Sequence, residues 1–146
     1  MSSPIAYAEL HAHSAFSLLD GASSPEALVA RAHELGLSAL AVVDHDDLGG
    51  AVRLHRAAQE VGLLVIHGAS LTLEDGSSLP LLARDRVGWG NLCRLVSLAR
   101  TVSPRGAPRT TIERLASHSE GLLALTGDAR GPLVRALDRD DEPQAL

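Results

Sequence analysis

The chain has 146 residues, of which 45% are apolar but only 2% aromatic, so it can form one domain, or part of a larger one, around an aliphatic core. Its 13 basic residues are all Arg and are outnumbered by 18 acidic residues, which argues against direct binding of nucleic-acid phosphates. The single cysteine, Cys93, excludes an internal disulfide, and the lack of a signal-peptide pattern or long apolar run predicts a cytoplasmic protein without membrane contact.

Short apolar runs alternate with helical patterns through the first half of the chain. A helix is expected to begin at Pro25, after the hydroxyl cap Ser24, and to stop at Gly36. A second helical stripe, residues 51–61, ends at Gly62. The apolar runs between these patterns predict strands at residues 7–13, 39–43 and 63–66.

In the second half of the chain the apolar residues begin to alternate with polar ones, as they do in strands. Alternating leucines on either side of Asp75-Gly76 predict a hairpin, and Pro80 places its returning arm at a sheet edge. Thr110 and Glu113 have the spacing of a capping box. The remaining predictions are a helix at 91–100, a loop at 101–109, a strand at 122–126, a helix from Pro132, and a solvated acidic stretch at 138–146.

Repeated strand–helix alternation predicts an α/β fold with a parallel sheet or barrel. A closed (β/α) barrel needs about 200 residues or more, and this chain supplies only about four strands of that type. Two interpretations stay open: the first half to two-thirds of a barrel, or a smaller open sheet. We expect the polypeptide to be cut short.

Histidines and carboxylates follow the carboxyl ends of the predicted strands, where ligands bind in parallel α/β folds. Such side chains suit Zn, Mn or Fe, which could activate a water for attack on a phosphate. The alternative is that Asp46 or Asp47 caps a helix and that His33, His55 and Trp89 are surface or packing residues. The strand-end candidates are His11, His13, Asp20, Asp44, His45, His67 and Asp128.

Residues 9–21, from Glu9 to Gly21, resemble the opening of the PHP (polymerase and histidinol phosphatase) domain in bacterial DNA polymerase III alpha subunits. Within that run, Ser-Leu-Leu-Asp-Gly at 17–21 indicates the polymerase branch of the family. Residues 40–49 are similar to the second family motif, and 82–96 resemble the error-prone polymerases in particular. With 121–127, the resemblance covers about residues 7–137.

The resemblance implies a distorted (β/α)7 barrel that holds up to three metals and is joined to a C-family polymerase. Some family members are metal-dependent exonucleases or phosphoesterases, and others are inert platforms, including for proofreading partners. His11, His13, Asp20 and His45 fall on metal-ligand positions of the family, and Asp44 ranks lower because it only precedes a ligand. DNA would be reached indirectly, through the rest of the polymerase.

Three positions depart from the family pattern. Ser70 stands where a ligand Glu is common, Ser78 where a His is common, and Asp128 where a Cys is usual. The remaining ligands would hold one divalent ion or none, so we expect this chain to be weak or inactive as a phosphoesterase. Two other functions are alternatives. One is a stand-alone PHP phosphoesterase acting on phosphorylated metabolites or nucleotide ends, and the other is an amidohydrolase, whose customary Lys ligand this chain lacks.

Overall fold

The computed structural model describes residues 6–138, which fold into one sheet flanked by helices. None of the helices in this range is long and apolar enough to cross a membrane. The elements in chain order are β1 (Ala8–Ala12), α1 (Pro25–Glu34), β2 (Ala39–His45), α2 (Ala51–Val61), β3 (Leu64–Thr72), β4 (Ser78–Ala83), α3 (Arg86–Val102), α4 (Ile112–Ala116), β5 (Leu122–Ala124) and α5 (Pro132–Asp138).

The strands lie in the sheet in sequence order, β1-β2-β3-β4-β5. The first three are parallel, β4 is antiparallel to β3, and β5 is antiparallel to β4. Helices α1 and α2 make the parallel connections, and the turn around Gly76 makes the hairpin. The predicted α/β class is therefore confirmed. The described residues form an open sheet, so the partial barrel stays a prediction, and all of the acidic stretch except Asp138 lies outside them.

One continuous strand, β3, replaces the predicted short strand ending at Ile66 and the separate hairpin arm beginning near Leu71. Gly68, which breaks the apolar run in the sequence, pairs with both neighbouring strands. A Cβ atom at Gly68 would lie 2.5 Å from the carbonyl oxygen of Leu81. Glycine therefore permits the close approach of β4 at this point.

Pro80 does not lie on an edge strand, so that prediction is wrong: β4 pairs with β3 on one side and β5 on the other. The carbonyl of Pro80 accepts a hydrogen bond from the Leu125 N–H at 2.9 Å, on the β5 side. In an antiparallel ladder the N–H and C=O of one residue point to the same side. The missing N–H of Pro80 therefore costs β3 no hydrogen bond.

One helix start and two expected helix caps differ from the predictions. Helix α3 begins at Arg86, five residues early, because Asp85 caps it by accepting from the Gly88 N–H at 2.8 Å. The cap of α4 is Thr111 rather than Thr110. Helix α2 begins after Gly50 with no side-chain cap, so neither Asp46 nor Asp47 caps it.

The helices α1, α2 and α3 cover one face of the sheet. Leu40 and Val42 of β2 pack against α1 and α2, with Val65 of β3 against the same cluster. Ala69 and Leu71 pack against α3. Val65, Ala69 and Leu71 are separated by even numbers of residues along β3, so they point to the same face. The two apolar clusters therefore form one layer between sheet and helices.

The opposite face of the sheet is concave. Ala41, Val43 and Leu82 are buried there, and Leu10 of β1 and Leu125, just after β5, pack against this one cluster. Strands lie about 4.8 Å apart, so the outer strands of a flat five-stranded sheet would be about 19 Å apart. Side chains from both ends of the sheet reach the same cluster because the sheet is strongly curved.

Candidate metal centre

Three of the predicted ligand side chains converge beyond the carboxyl ends of β1 and β2. His13 follows β1, Asp20 lies in the loop that leads to α1, and His45 ends β2. One carboxylate oxygen, Asp20 Oδ2, lies 2.8 Å from His13 Nδ1 and 2.7 Å from His45 Nε2. The imidazole rings of His13 and His45 have centroids 4.3 Å apart. Loops from two neighbouring strands thus build one compact group.

Asp44 holds these two loops together from beneath. Its buried side-chain carboxyl accepts hydrogen bonds from Ser14 N at 2.7 Å, Ser14 Oγ at 2.7 Å and Ser17 Oγ at 2.6 Å. The Ser17 hydroxyl oxygen also accepts from His45 N at 3.1 Å. Both oxygens of Asp44 accept hydrogen bonds that fix the loop after β1 to the end of β2, so this residue positions the candidate ligands.

The loop reaches Asp20 through a strained backbone. Leu19 has φ of 66°, in the left-handed region that costs a non-glycine residue about 1 kcal/mol, and its side chain is fully exposed. At Gly21 a Cβ atom would lie 1.9 Å from the carbonyl oxygen of Ser14. The tight return of the chain at Gly21 turns the Asp20 carboxylate back toward the histidines.

The surroundings favour a neutral His13 imidazole next to an ionised Asp20 carboxylate. Hydrogen bonds from His45, then Arg130 and His13, hold the pKa of Asp20 well below its usual range. Burial lowers the pKa of His13, and the neighbouring His45 lowers it further, while Asp20 acts in the opposite direction. An unprotonated imidazole is the form that binds a metal ion.

The donor set fits one divalent metal ion. The ligand atoms of His13, Asp20 and His45 all lie within 4.8 Å of one another. His13 Nε2 is buried and has no hydrogen-bond partner among the described residues, although buried imidazole nitrogens normally have one. Two imidazoles and a carboxylate are the ligand set of several zinc and iron sites.

His11 and Asp128 lie next to this group but outside it. The His11 ring is 5.2 Å from that of His13 in an edge-on arrangement. Asp128 follows β5, and its Oδ1 accepts from the Arg130 N–H at 2.8 Å. That hydrogen bond is the main cause of the lowered pKa of Asp128, to which His11 contributes a small electrostatic effect. Both residues border the site without joining its hydrogen bonds.

The structure places His67 elsewhere. Because β3 continues to Thr72, His67 lies in mid-strand and faces the helices. Its ring is 5.7 Å from that of His55 on α2 and 5.2 Å from that of Trp89 on α3. Burial, and to a lesser extent His55, lowers the pKa of His67.

Serines occupy two of the three positions where the sequence departs from the family pattern. Ser70 pairs with His45 in the sheet, and its hydroxyl is buried without a hydrogen-bond partner among the described residues. Ser78 begins β4, and its N–H donates to the carbonyl of Arg130 at 2.9 Å. Neither serine contacts the three-residue group through its hydroxyl in the described hydrogen bonds.

Sequence reasoning missed Arg130. Its NH2 group donates to Asp20 Oδ2 at 3.0 Å and lies 3.4 Å from Asp128 Oδ2. The two partners Asp20 and Arg130 are 110 residues apart in the chain, and only the curvature of the sheet brings their loops together. The indication in the sequence was the position of Arg130, two residues after the candidate ligand Asp128.

A cavity of about 600 Å³ opens beside His45. Phe16 and Leu18 line its apolar side, and Arg100 and Arg105 line its basic side. Arg100 is fixed by donating from Nε to the Asp46 carbonyl at 2.8 Å and by an ion pair with Asp47. The three-residue group is therefore reachable from a space with both apolar and cationic walls.

A family model for the PHP domain matches residues 9–146 of the chain. An error-prone DNA polymerase from Alkalilimnicola ehrlichii is 48% identical over 122 residues, which are 84% of this chain and 12% of that protein. One from Ralstonia nicotianae is 41% identical over 145 residues, 96% of this chain and 14% of that protein. The chain thus spans about an eighth of the length of these relatives.

Two solved structures share the fold with a TM-score of 0.54 each. One, from Bifidobacterium adolescentis, is assigned as a metal-dependent phosphoesterase; it is 27% identical, and the match covers 68% of this chain and 35% of that one. The other is an amidohydrolase from Chromobacterium violaceum with bound sulfate and no metal, 28% identical over 65% of this chain and 34% of that one.

Proposed function

The chain belongs to the PHP domain family, and we propose that it serves as the PHP module of a bacterial error-prone DNA polymerase. The observation that carries this proposal is the identity of 41–48% to polymerases of that kind over 84–96% of the chain. The module would act in replication and repair synthesis as a cytoplasmic platform for the rest of the polymerase and for proofreading partners. With 13 basic and 18 acidic residues, it would meet DNA only through those parts.

The curved sheet supports the more specific proposal of a partial (β/α)7 barrel. Leu10 and Leu125 pack on one concave cluster, and a hydrogen bond from Arg130 to Asp20 joins the loops that follow β1 and β5. Further strands would extend the sheet from its β5 edge in the curvature it already has. Such strands would cover apolar side chains exposed along β5, of which Leu123 is 48% exposed.

We propose that the centre takes one divalent ion, Zn, Mn or Fe, through His13, Asp20 and His45. A bound ion would polarise a phosphoryl oxygen and lower the pKa of a bound water. The chain prepares the site for this ion in two ways. Asp44 fixes the two loops through its hydrogen bonds, and burial lowers the pKa of His13 and so favours its unprotonated form. The buried, unpartnered Nε2 of His13 is the observation that supports metal binding.

Hydrolysis by this centre is expected to be weak. Catalytic zinc sites use about three protein ligands for each ion, and this group offers three in all. The Ser70 hydroxyl, buried beside His45, brings no negative charge that would support a second cation nearby. A second candidate function, a phosphoesterase of phosphorylated metabolites or nucleotide ends, is favoured by the structural similarity to the Bifidobacterium protein.

Metal titration and a phosphatase assay on the purified 146-residue chain test the centre. We expect about one equivalent of Zn²⁺, with binding weakened about 10- to 100-fold in Asp20→Asn and unchanged in the control Glu120→Gln on the exposed surface. Phosphatase turnover should stay near background. Metal-dependent turnover that disappears in His13→Ala would establish the phosphoesterase, and equal binding by Asp20→Asn would refute the centre.

The polymerase assignment has its own test, which is the coding frame beyond the codon for Leu146. A frame that continues into a long polymerase region is the expected result. A stop codon at that point, together with robust phosphatase turnover, would favour the second candidate instead.

A further inference from the structure

Arg130 brings a positive charge to the carboxylates of the site. Asp20 Oδ2 accepts from His13, His45 and the Arg130 guanidinium, at 2.8, 2.7 and 3.0 Å. The guanidinium also lies 3.4 Å from the Asp128 carboxylate. The guanidinium of Arg130 thus places one positive charge beside the carboxylates of Asp20 and Asp128. A divalent cation would otherwise compensate the negative charge of these two groups.

The backbone holds Arg130 in this place from both sides. Its N–H donates to Asp128 Oδ1 at 2.8 Å, and its carbonyl accepts from the Ser78 N–H at 2.9 Å. Gly127, with φ of 82°, starts this tight turn three residues after the end of β5. The guanidinium is therefore delivered to Asp20 by a structured loop, unlike an arginine whose side chain alone determines its position.

The observed spacing around Asp20 is that of hydrogen bonds. Ligand atoms on one tetrahedral zinc ion lie about 3.3 Å apart, which follows from metal–ligand distances of about 2.0–2.1 Å. His45 Nε2 lies 2.7 Å from Asp20 Oδ2, which is closer than that. Asp20 is thus drawn into a closed arrangement that a metal ion would have to open.

From these contacts we infer that Arg130 is a built-in cation that competes with a divalent metal for Asp20, so that metal binding requires displacement of its guanidinium. This inference rests on the proposed metal centre and assigns a residue that limits its affinity. The side chain of Arg130 is 48% exposed, so the displaced guanidinium can turn into water without leaving a buried charge. The proposed centre would then be occupied only where the concentration of free metal ion is high.

Competition for Zn²⁺ against a chelating dye tests this role in the 146-residue chain. Arg130→Gln should bind zinc about five- to tenfold tighter than the unsubstituted chain, because a charge-assisted hydrogen bond to Asp20 no longer opposes the metal. The matched control is Arg105→Gln, which removes the same charge from the exposed wall of the cavity beside His45 and should change affinity less than twofold. Circular-dichroism melts confirm that both variants are folded.

Arg130→Gln that binds zinc no tighter than Arg105→Gln, or does not bind it at all, overturns the inference. A merely structural ion pair would lower the melting temperature of Arg130→Gln and leave zinc affinity unchanged. That result keeps the proposed centre, whose own test is the loss of binding in Asp20→Asn. A second measurement is the side-chain Nε–H resonance of Arg130, which should move on saturation with Zn²⁺; a stationary resonance would overturn the inference independently.

Discussion

His13 pairs with His45 and His55 pairs with His67, and of these two pairs only the first has the surroundings of a reactive centre. His13 and His45 stand beyond the strand ends and share the carboxylate of Asp20. The rings of His55 and His67 are farther apart, at 5.7 Å, and lie on the helix side of the sheet, where His67 contacts Trp89. Burial lowers the pKa of both His13 and His67, yet only His13 has a carboxylate that acts against this effect.

The difference shows that histidine proximity alone does not make a metal site in an α/β fold. At the strand ends, irregular backbone lets loops bring a charged partner to the imidazoles, as the loop through Leu19 does for Asp20. In mid-strand, regular pairing fixes both neighbours of His67, and the facing helices offer a ring instead of a charge. Location along the strand therefore accounts for the carboxylate partner of the first pair and, within the described residues, for its absence beside the second.

The largest effect is expected from Asp44→Ala, which removes the support of the first pair only. The change leaves the buried hydroxyls of Ser14 and Ser17 without their acceptor, so we expect a loss of about 3 kcal/mol in the free energy of unfolding. Denaturant titration measures it, with Glu60→Ala on the exposed face of α2 as the control at less than about 0.5 kcal/mol. A loss equal to that control would show that Asp44 does not hold the two loops.

Gly21→Ala should perturb the loop of the first pair somewhat less. A Cβ atom there would lie 1.9 Å from the Ser14 carbonyl oxygen, so the backbone must shift, at about 2 kcal/mol of unfolding free energy. The matched substitution is Gly90→Ala in α3, where nothing lies within 4 Å and alanine should stabilise the helix by up to about 1 kcal/mol. In thermal melts we expect Gly21→Ala to lower the melting temperature and Gly90→Ala to raise it. A change of the same sign in both variants would contradict the close approach at Gly21.

The smallest effect is expected in the second pair, His55 and His67, as a dependence of the free energy of unfolding on pH. His67 has a lowered pKa in the folded chain, so the unfolded chain takes up a proton first as the pH falls below about 6.5. Stability should therefore decrease with falling pH in that range, and His67→Gln should flatten this slope. Urea titrations between pH 7.5 and 5 at about 0.5-unit steps measure it, with His33→Gln on the exposed side of α1 as control. An unchanged slope in His67→Gln would show that His67 is not held neutral by burial.

Much of the first pair could be predicted from the sequence. His13 and His45 follow apolar runs of strand type, and carboxyl ends of neighbouring parallel strands meet at one end of the sheet. Asp20 follows the first of these runs after a short loop, and the family resemblance supports its place among the candidate ligands. The structure brings all three together, and it also places His11 and Asp128 at the border of the group.

Other features depend on contacts that the sequence pattern does not encode. Gly68 interrupts the apolar run, so the strand carrying His67 seemed to end there, although the glycine only permits close pairing with β4. The hydrogen bonds that Asp44 accepts from Ser14 and Ser17 could not be predicted, because these serines lie 30 and 27 residues away in the chain. Arg130 reaches Asp20 only because the sheet curves, and strand assignment alone does not give curvature.

Zinc titration of four alanine variants tests the central claim, that the metal centre lies at His13, Asp20 and His45. His13→Ala and His45→Ala should each weaken Zn²⁺ binding about 100-fold or abolish it, because each removes one of three ligands. His55→Ala and His67→Ala should bind like the unsubstituted chain. Loss of binding in the second pair of variants with retention in the first would contradict the account and move the site to the helix side of the sheet.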